Sequence, residues 1–352
     1  MLNRRQVVLG AMFVVVAVWL VPAARTELPE RLTDEQFWSL ITDSSEPGGT
    51  FRSDNLLSNE IQLQHVIPEL QRSPGAGRAY LGVGPEQNFT YIAAIKPSIA
   101  FIIDIRRGNL NLHLLYKALF ELSEDRAEFV SRLFSKKQPQ GLTSRSSAAE
   151  IFSAFWDVET GEALYKENLA AIHRQLTKKR KLPLTDDDLR GIDAVYFAFY
   201  WHGPIIQYSS SMGGGGGNFP NYAELMTATD AAGVARGYLA SEEHFAFVKN
   251  LHARNLIVPI VGDFAGTKAI RAVGRYLKGR DTTVAAFYLS NVEQYLGRDN
   301  RWDRFCGNVL TLPLDAGSTF IRSIRDGNYY PNGTGLTSVL GNIASDTRTC
   351  GK

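Results

Sequence analysis

Two cysteines, Cys306 and Cys350, are all that this 352-residue chain contains. No zinc or iron–sulfur ligand set can be assembled from two thiols alone. The six histidines are scattered and HEXXH is absent, so no metal is expected. The G-x-S-x-G turn of a serine nucleophile is missing too. Basic runs are as scarce: KKRK at Lys178 to Lys181 is the one that stands out, and it sits beside Asp186, Asp187 and Asp188. That run reads as a solvated turn. Without a broad basic face there is little counterion release to drive binding, so no nucleic-acid partner is expected.

What is present begins at the N-terminus. Arg4 and Arg5 precede an uncharged apolar run from Val7 to Val21, followed by the small residues of VPAAR. That order is an export signal. The run falls short of the roughly 20 residues that span a bilayer core, so cleavage after Ala23 is expected, with an inner-membrane anchor formed by residues 7–21 as the alternative. NRRQVV resembles a twin-arginine signal, which would carry the chain across already folded; the alternative is an ordinary secretory signal with a positive start. Either way the remainder is expected outside the cytoplasm, periplasmic or extracellular, with the membrane touched only through this segment. Losing Arg4 and Arg5 takes the formal charge from +2 to zero. In an oxidising compartment the two cysteines can pair, and a loop of that length contributes on the order of 4 kcal/mol. Spacing alone leaves both the bridge and free thiols open.

The rest of the chain alternates strands and helices. LTDEQFWSLI has an acid-rich first turn and is stopped by SEPGG. AYLGVG reads as a strand ending in glycines, PEQNFTYIAAI as a helix and SIAFIIDI as a second strand, which together make a βαβ unit. Leu110 to Phe134 and Ala148 to Leu176 carry helical spacing. DDDLRGIDAVYFAFYWHGP contains a strand-like aromatic run, and the glycines from Gly213 to Gly217 require a loop. SEEHFAFVKNLHARN is a helix, LIVPIVGDF a strand, TKAIRAVGRYLKGR a helix and TTVAAFYLS a strand. NVEQYLG is a loop or helix start, and NVLTLPLD a further strand candidate. The expected fold is α/β: a doubly wound, mostly parallel, Rossmann-like sheet with a large helical insertion. Its parts are a signal (1–23), a lead-in or cap (24–78), the first half of the sheet domain (79–134), the insertion (135–240), and the second half with a C-terminal tail (241–352).

Gly82 and Gly84 stand where the first strand turns into the helix, a place where a ligand can approach backbone and helix N-terminus, and with Gln87 and Asn88 they are candidates for cofactor binding. Asp104 ends the next strand, 20 residues after Gly84. A carboxylate there can accept ribose hydroxyls; the alternative is a structural pair with Arg106 or Arg107. GxGxxG is incomplete, since Pro85, Glu86 and Gln87 follow Gly84, which suits a ligand with ribose but no pyrophosphate. YLGVGPEQNFTYIAAI with FIIDIRR resembles motif I and the following acidic strand end of class I methyltransferases. DNLLSNE, YLGVGPEQNFTYIA, IDIRRGNL, VGDFAGTKAIRAVGRYL and FYLSNVEQYL further resemble a bacterial family of uncharacterised methyltransferase-like proteins. The resemblance implies S-adenosylmethionine as cofactor, with Gly82 and Gly84 beneath its methionine end, Asp104 on the ribose and Asp263 near the adenine. Tyr80 and Leu81 replace the usual acidic start of motif I.

Ser290, Asn291 and Glu293 follow the TTVAAFYLS strand, the edge where open α/β sheets bind ligands, and are candidate pocket residues; helix capping is the other reading of Ser290 and Asn291. His202, after Tyr200 and Trp201, is a candidate general base or a rim residue. Ser58, Asn59 and Glu60, near Asp54, Asn55 and His65, form a polar cluster that either closes over the cleft or caps a helix. The expected partner is a small molecule in the cleft. Two functions follow: methyl transfer to an acceptor, or a non-catalytic ligand-binding or scaffold protein of the cell envelope that keeps the fold.

Overall fold

The computed structural model describes residues 27–209, 219–325, 335–348 and 350. The export segment and the polyglycine lie outside the described residues. Six strands form one sheet: β1 (Ala79–Gly82), β2 (Ile99–Asp104), β3 (Ile257–Val261), β4 (Val284–Ser290), β5 (Thr319–Arg325) and β6 (Leu336–Asn342), in the order β3-β2-β1-β4-β5-β6. All neighbours pair in parallel except β5 and β6. AYLGVG, SIAFIIDI, LIVPIVGDF and TTVAAFYLS, expected as adjacent central strands, are adjacent and parallel, but LIVPIVGDF, as β3, forms an edge of the sheet. Every residue of β1, β2 and β3 is buried, the pattern of strands covered on both faces.

Helices supply that cover. A lead-in helix α1 (Asp34–Ser44) starts with a capping box between Thr33 and Gln36, and a short α2 (Ile67–Leu70) follows. Next come α3 (Gln87–Ile95), α4 (Arg107–Leu122) and α5 (Arg126–Phe134). The insertion carries α6 (Ala148–Phe155), α7 (Glu162–His173), α8 (Asp186–His202) and α9 (Tyr222–Thr227). The second half contributes α10 (Glu242–Ala253), α11 (Ala269–Lys278), α12 (Val292–Arg298), α13 (Trp302–Val309) and α14 (Ile343–Asp346). α10 packs on α3 and α4, while α11 packs on α1 and α13. α4 is buried from Asn109 to Phe120, which an amphipathic surface helix would not be. The insertion explains it, because α8 lies along α4 and encloses the side that the sheet leaves open.

Three expectations need correction. The aromatic run of DDDLRGIDAVYFAFYWHGP is helix α8: Thr185 and Asp188 form a capping box, and Ile192, Tyr196 and Phe199 make a buried stripe at helical spacing. Phe197 and Trp201, exposed on the other side, hide that period in the sequence. NVLTLPLD is the end of α13 and a turn, held where Asn308 Nδ2 donates to Phe264 O (2.8 Å) and Gly266 O (2.7 Å); the strand comes later, as β5. KKRK is only partly solvated, since Arg180 turns inward onto Glu121 (2.7 Å) and Asp34 (3.2 Å). Cys306, in α13, and Cys350 are joined in a disulfide with Cα atoms 5.5 Å apart, which ties the C-terminal tail to the second half of the domain. No helix among the described residues is long and apolar enough to cross a membrane.

Candidate functional site

Strand order reverses between β1 and β4, and a cleft of about 690 Å³ opens at the carboxyl ends of β1 to β4. Val83 and Gly84, Asp104, Gly262 and Asp263, and Ser290 and Asn291 all line it. The lead-in closes one side with Phe51 and Leu57, the insertion another with Tyr208 and Phe219, and α12 a third with Tyr295. Phe51 meets Tyr295 edge-on with ring centroids 5.5 Å apart, and Leu56 N donates to Tyr208 O at 2.9 Å. These contacts join lead-in, insertion and sheet domain around one cavity.

The glycine turn is braced from below. Gly84 has φ +77°, a conformation that only glycine adopts freely, and a Cβ there would meet only Gln87 Nε2 within 4 Å. Its carbonyl accepts from Asn88 Nδ2 (3.2 Å) and faces His113 Nε2 at 2.9 Å. Burial holds the His113 pKa down to about 4, so the ring is neutral near pH 7, and facing a carbonyl assigns its proton to Nε2. Gly82 does not line the cleft. Its missing side chain makes room for Asn88, whose Nδ2 also donates to Val83 O (2.9 Å) and Pro85 O (2.7 Å) and whose Oδ1 accepts from Tyr80 OH (2.8 Å). Gly82 and Asn88, both candidates for cofactor contact, therefore build the turn from underneath.

Asp104 lines the cleft and is 5% exposed. Its Oδ1 accepts from Arg106 N (2.9 Å) and Nε (3.0 Å), and its Oδ2 from Arg106 Nη2 (2.9 Å). The structural alternative read from the sequence is thus realised, and one acceptor position on Oδ2 remains. Arg106 Nη1 also reaches Asp54 O, fastening the lead-in to the end of β2. Asp263, just past the end of the neighbouring strand β3, also lines the cleft; it pairs with Arg301, and its Oδ1 accepts from Ala265 N at 2.9 Å.

At the β4 end the lead-in contributes a residue whose partners the sequence hides. Glu60 is 2% exposed, and its Oε1 accepts from Tyr288 OH (2.7 Å) and Ser290 Oγ (2.6 Å). Gln87 Nε2 in turn donates to Tyr288 OH at 3.2 Å. Burial pushes the Glu60 carboxyl up from its ordinary pKa, against the lowering effect of those hydroxyls. Glu86, fully buried, accepts from Ser58 N (3.0 Å), and burial pushes it up to about 8. The Ser58 to Glu60 cluster does close over the cleft. Ser290, with φ +51°, spends its hydroxyl on Glu60 instead of capping α12, and Asn291 precedes α12 without a side-chain cap.

Two candidates lie elsewhere. Glu293 is absent from the cleft wall, because its Oε2 accepts from Arg322 Nε at 2.6 Å across to β5. His202 sits exposed at the end of α8, outside the cleft. Tyr288 is masked by the apolar residues of its strand, where a lone phenol buried on both faces is the one local signal of its role. Among the described residues no three His, Cys, Asp or Glu side chains are grouped to hold a metal ion.

The fold and cleft define an α/β protein with an open, mostly parallel sheet and a cleft at its switch point. The chain belongs to the family described as a domain of unknown function (DUF7790), which it matches over residues 56–340. That span starts late in the lead-in and ends within β6, so it takes in the whole insertion and the lead-in from Leu56 onward, while Phe51 lies before it. No curated protein matches the chain.

Proposed function

We propose that the cleft binds S-adenosylmethionine and that the protein is a methyltransferase of the class I type. The observation that carries this reading is the meeting of Gly84, in its left-handed turn, with Asp104 at the ends of two adjacent parallel strands beside the switch point. The order β3-β2-β1-β4-β5 followed by an antiparallel last strand supports the same fold type. The residues fit the cofactor: Gly84 lines the cleft without a side chain, and Asp104 Oδ2 keeps an acceptor position for a ribose hydroxyl. Asp263, oriented by Arg301, faces the cleft where an exocyclic amine can donate. When bound, the cofactor supplies an electrophilic methyl group on a sulfonium. The chain itself contributes positioning, through the turn and Asp104, and exclusion of water, through Phe51, Tyr208 and Tyr295.

A second reading, a non-catalytic cleft protein that keeps the fold, is favoured by one specific observation. Arg106 already holds Asp104 by a fork of two N–H groups, which satisfies its charge without a ligand. Calorimetric titration with S-adenosylmethionine and S-adenosylhomocysteine separates the two. Wild type is expected to bind both, and Asp104→Asn to bind about ten- to a hundredfold more weakly through loss of charge-assisted hydrogen bonds. Absence of heat from wild type at millimolar ligand leaves only the second reading.

We propose further that Arg4 and Arg5 direct export by the twin-arginine route. Changing both to lysine is expected to hold the protein in the cytoplasm, checked by fractionation; undiminished export would mean an ordinary secretory signal.

A further inference from the structure

Glu46, in the lead-in, stands behind the cleft wall and not on it, yet it is bonded to a segment that forms that wall. Its Oε2 accepts from Asp263 N (3.2 Å), and its Oε1 from Lys268 N (2.6 Å) and Ala269 N (3.0 Å). α11, which opens at Ala269, has no side-chain cap of its own, so a carboxylate 223 positions away takes that place. The backbone is joined as well. Glu46 N donates to Val261 O at 2.8 Å, Val261 N to Ser45 Oγ at 3.1 Å, and Lys268 Nζ to Ser45 O at 2.7 Å. Gly49 N then donates to Ile105 O at 2.8 Å, two residues before Phe51 reaches the cleft. Capping α11 needs only the bonds to Lys268 and Ala269. The bond to Asp263 N and the pairing of Ser45 and Glu46 with Val261 do something further: they tie the strap that carries Phe51 to the loop that carries Asp263, two walls of one cavity. Gly266 belongs to the same joint, because a Cβ there would run into the Glu46 carboxylate.

We infer that Glu46 is a positioning residue for the cleft, holding the lead-in strap at 45–51 and the Asp263 loop as one unit. Its charge-assisted bonds go to backbone N–H groups, so they fix where the loop runs whatever its side chains are. The consequence for ligand binding rests on the adenosyl reading proposed above: Glu46 sets how firmly the base is held, since Asp263 faces that end, while Asp104 and the glycine turn are held by other residues.

Amide hydrogen exchange of the ligand-free protein, followed by mass spectrometry, tests the joint. In Glu46→Ala, peptides covering 45–51 and 262–266 are both expected to exchange at least about tenfold faster, with those of β1 and β2 unchanged. Gly266→Ala leaves Glu46 in the chain and pushes its carboxylate aside, so it is expected to loosen the same two peptides. Added to Glu46→Ala it should change nothing more, because the methyl group then has room. Faster exchange confined to 268–272, the first turn of α11, would reduce Glu46 to a helix cap and overturn the inference, as would additive effects of the two substitutions. If Glu46→Ala fails to fold, Gly266→Ala decides alone, and unchanged exchange at 45–51 in that variant overturns the inference. Titration with S-adenosylhomocysteine is the separate arm. Glu46→Ala is expected to bind it about tenfold more weakly, with Asp263→Ala adding little on top; equal affinity would overturn the role in ligand binding. A wild type that binds no adenosyl compound sinks the methyltransferase reading and leaves the exchange result to stand or fall by itself.

Discussion

Replacing Arg126 by alanine is expected to lower the unfolding free energy by about 3–5 kcal/mol, because a buried, fully bonded guanidinium leaves its partners unpaired when it goes. Arg126 is 1% exposed. Its Nε donates to Glu242 Oε1 (2.7 Å), Nη1 to Leu239 O (2.9 Å), and Nη2 to Ser144 O (3.0 Å) and Ser146 O (2.7 Å). It therefore joins α5, the loop before α6 and the start of α10, where the insertion returns to the sheet domain. Arg126→Lys should recover only part of the loss, since an ammonium lacks the planar fork that reaches all four acceptors. Urea unfolding checks it: the midpoint should fall without a change in slope. A midpoint shift corresponding to under about 1 kcal/mol would show that this joint contributes little.

The second large effect depends on pH. Glu86 has an ordinary pKa of 4.5 and is pushed up to about 8 by burial. Between those values the unfolded chain ionises the group while the folded chain keeps it protonated, so stability falls as pH rises, by about 1.4 kcal/mol per unit and roughly 3–5 kcal/mol in all. His113 acts in the opposite sense. Its pKa drops from 6.5 to about 4 on burial, so stability rises with pH across that range and offsets Glu86 there. Lys117, lowered to about 8 from 10.5 by burial despite Glu121, also favours the fold as pH rises, but only above 8. Among these three groups, Glu86 alone acts from pH 6.5 to 8. Glu86→Gln should match wild type near pH 4 and exceed its stability by about 3–5 kcal/mol at pH 8. A difference between the two proteins that is constant from pH 4 to 8 would refute the buried neutral carboxyl.

How far the site was legible depends on distance along the chain. Asp104 and Arg106 are two residues apart, and their pairing was readable as an alternative to ribose binding. Gly84 was readable because a strand followed by glycine and a helix is local geometry. Asn88 was visible as a helix-start residue, but its packing into the space above Gly82 required the turn to be built. His202 and Glu293 were plausible from neighbouring residues, and the path of the chain took both away from the cleft. α8 misled for a different reason: aromatic residues on all its sides masked the period that Ile192, Tyr196 and Phe199 obey.

By itself the sequence determined the βαβ start, the four adjacent parallel strands, the glycine turn and the acidic end of β2, because apolar periodicity, capping and turn chemistry act over a few residues. Only the tertiary structure decided that Glu60 meets Tyr288, 228 positions away, that Glu86 is sealed beneath the lead-in, and that α8 of the insertion lies along α4. The reason is physical. A buried polar group must find a partner wherever the fold brings one, and that partner is set by the packing of whole elements, which no local pattern records.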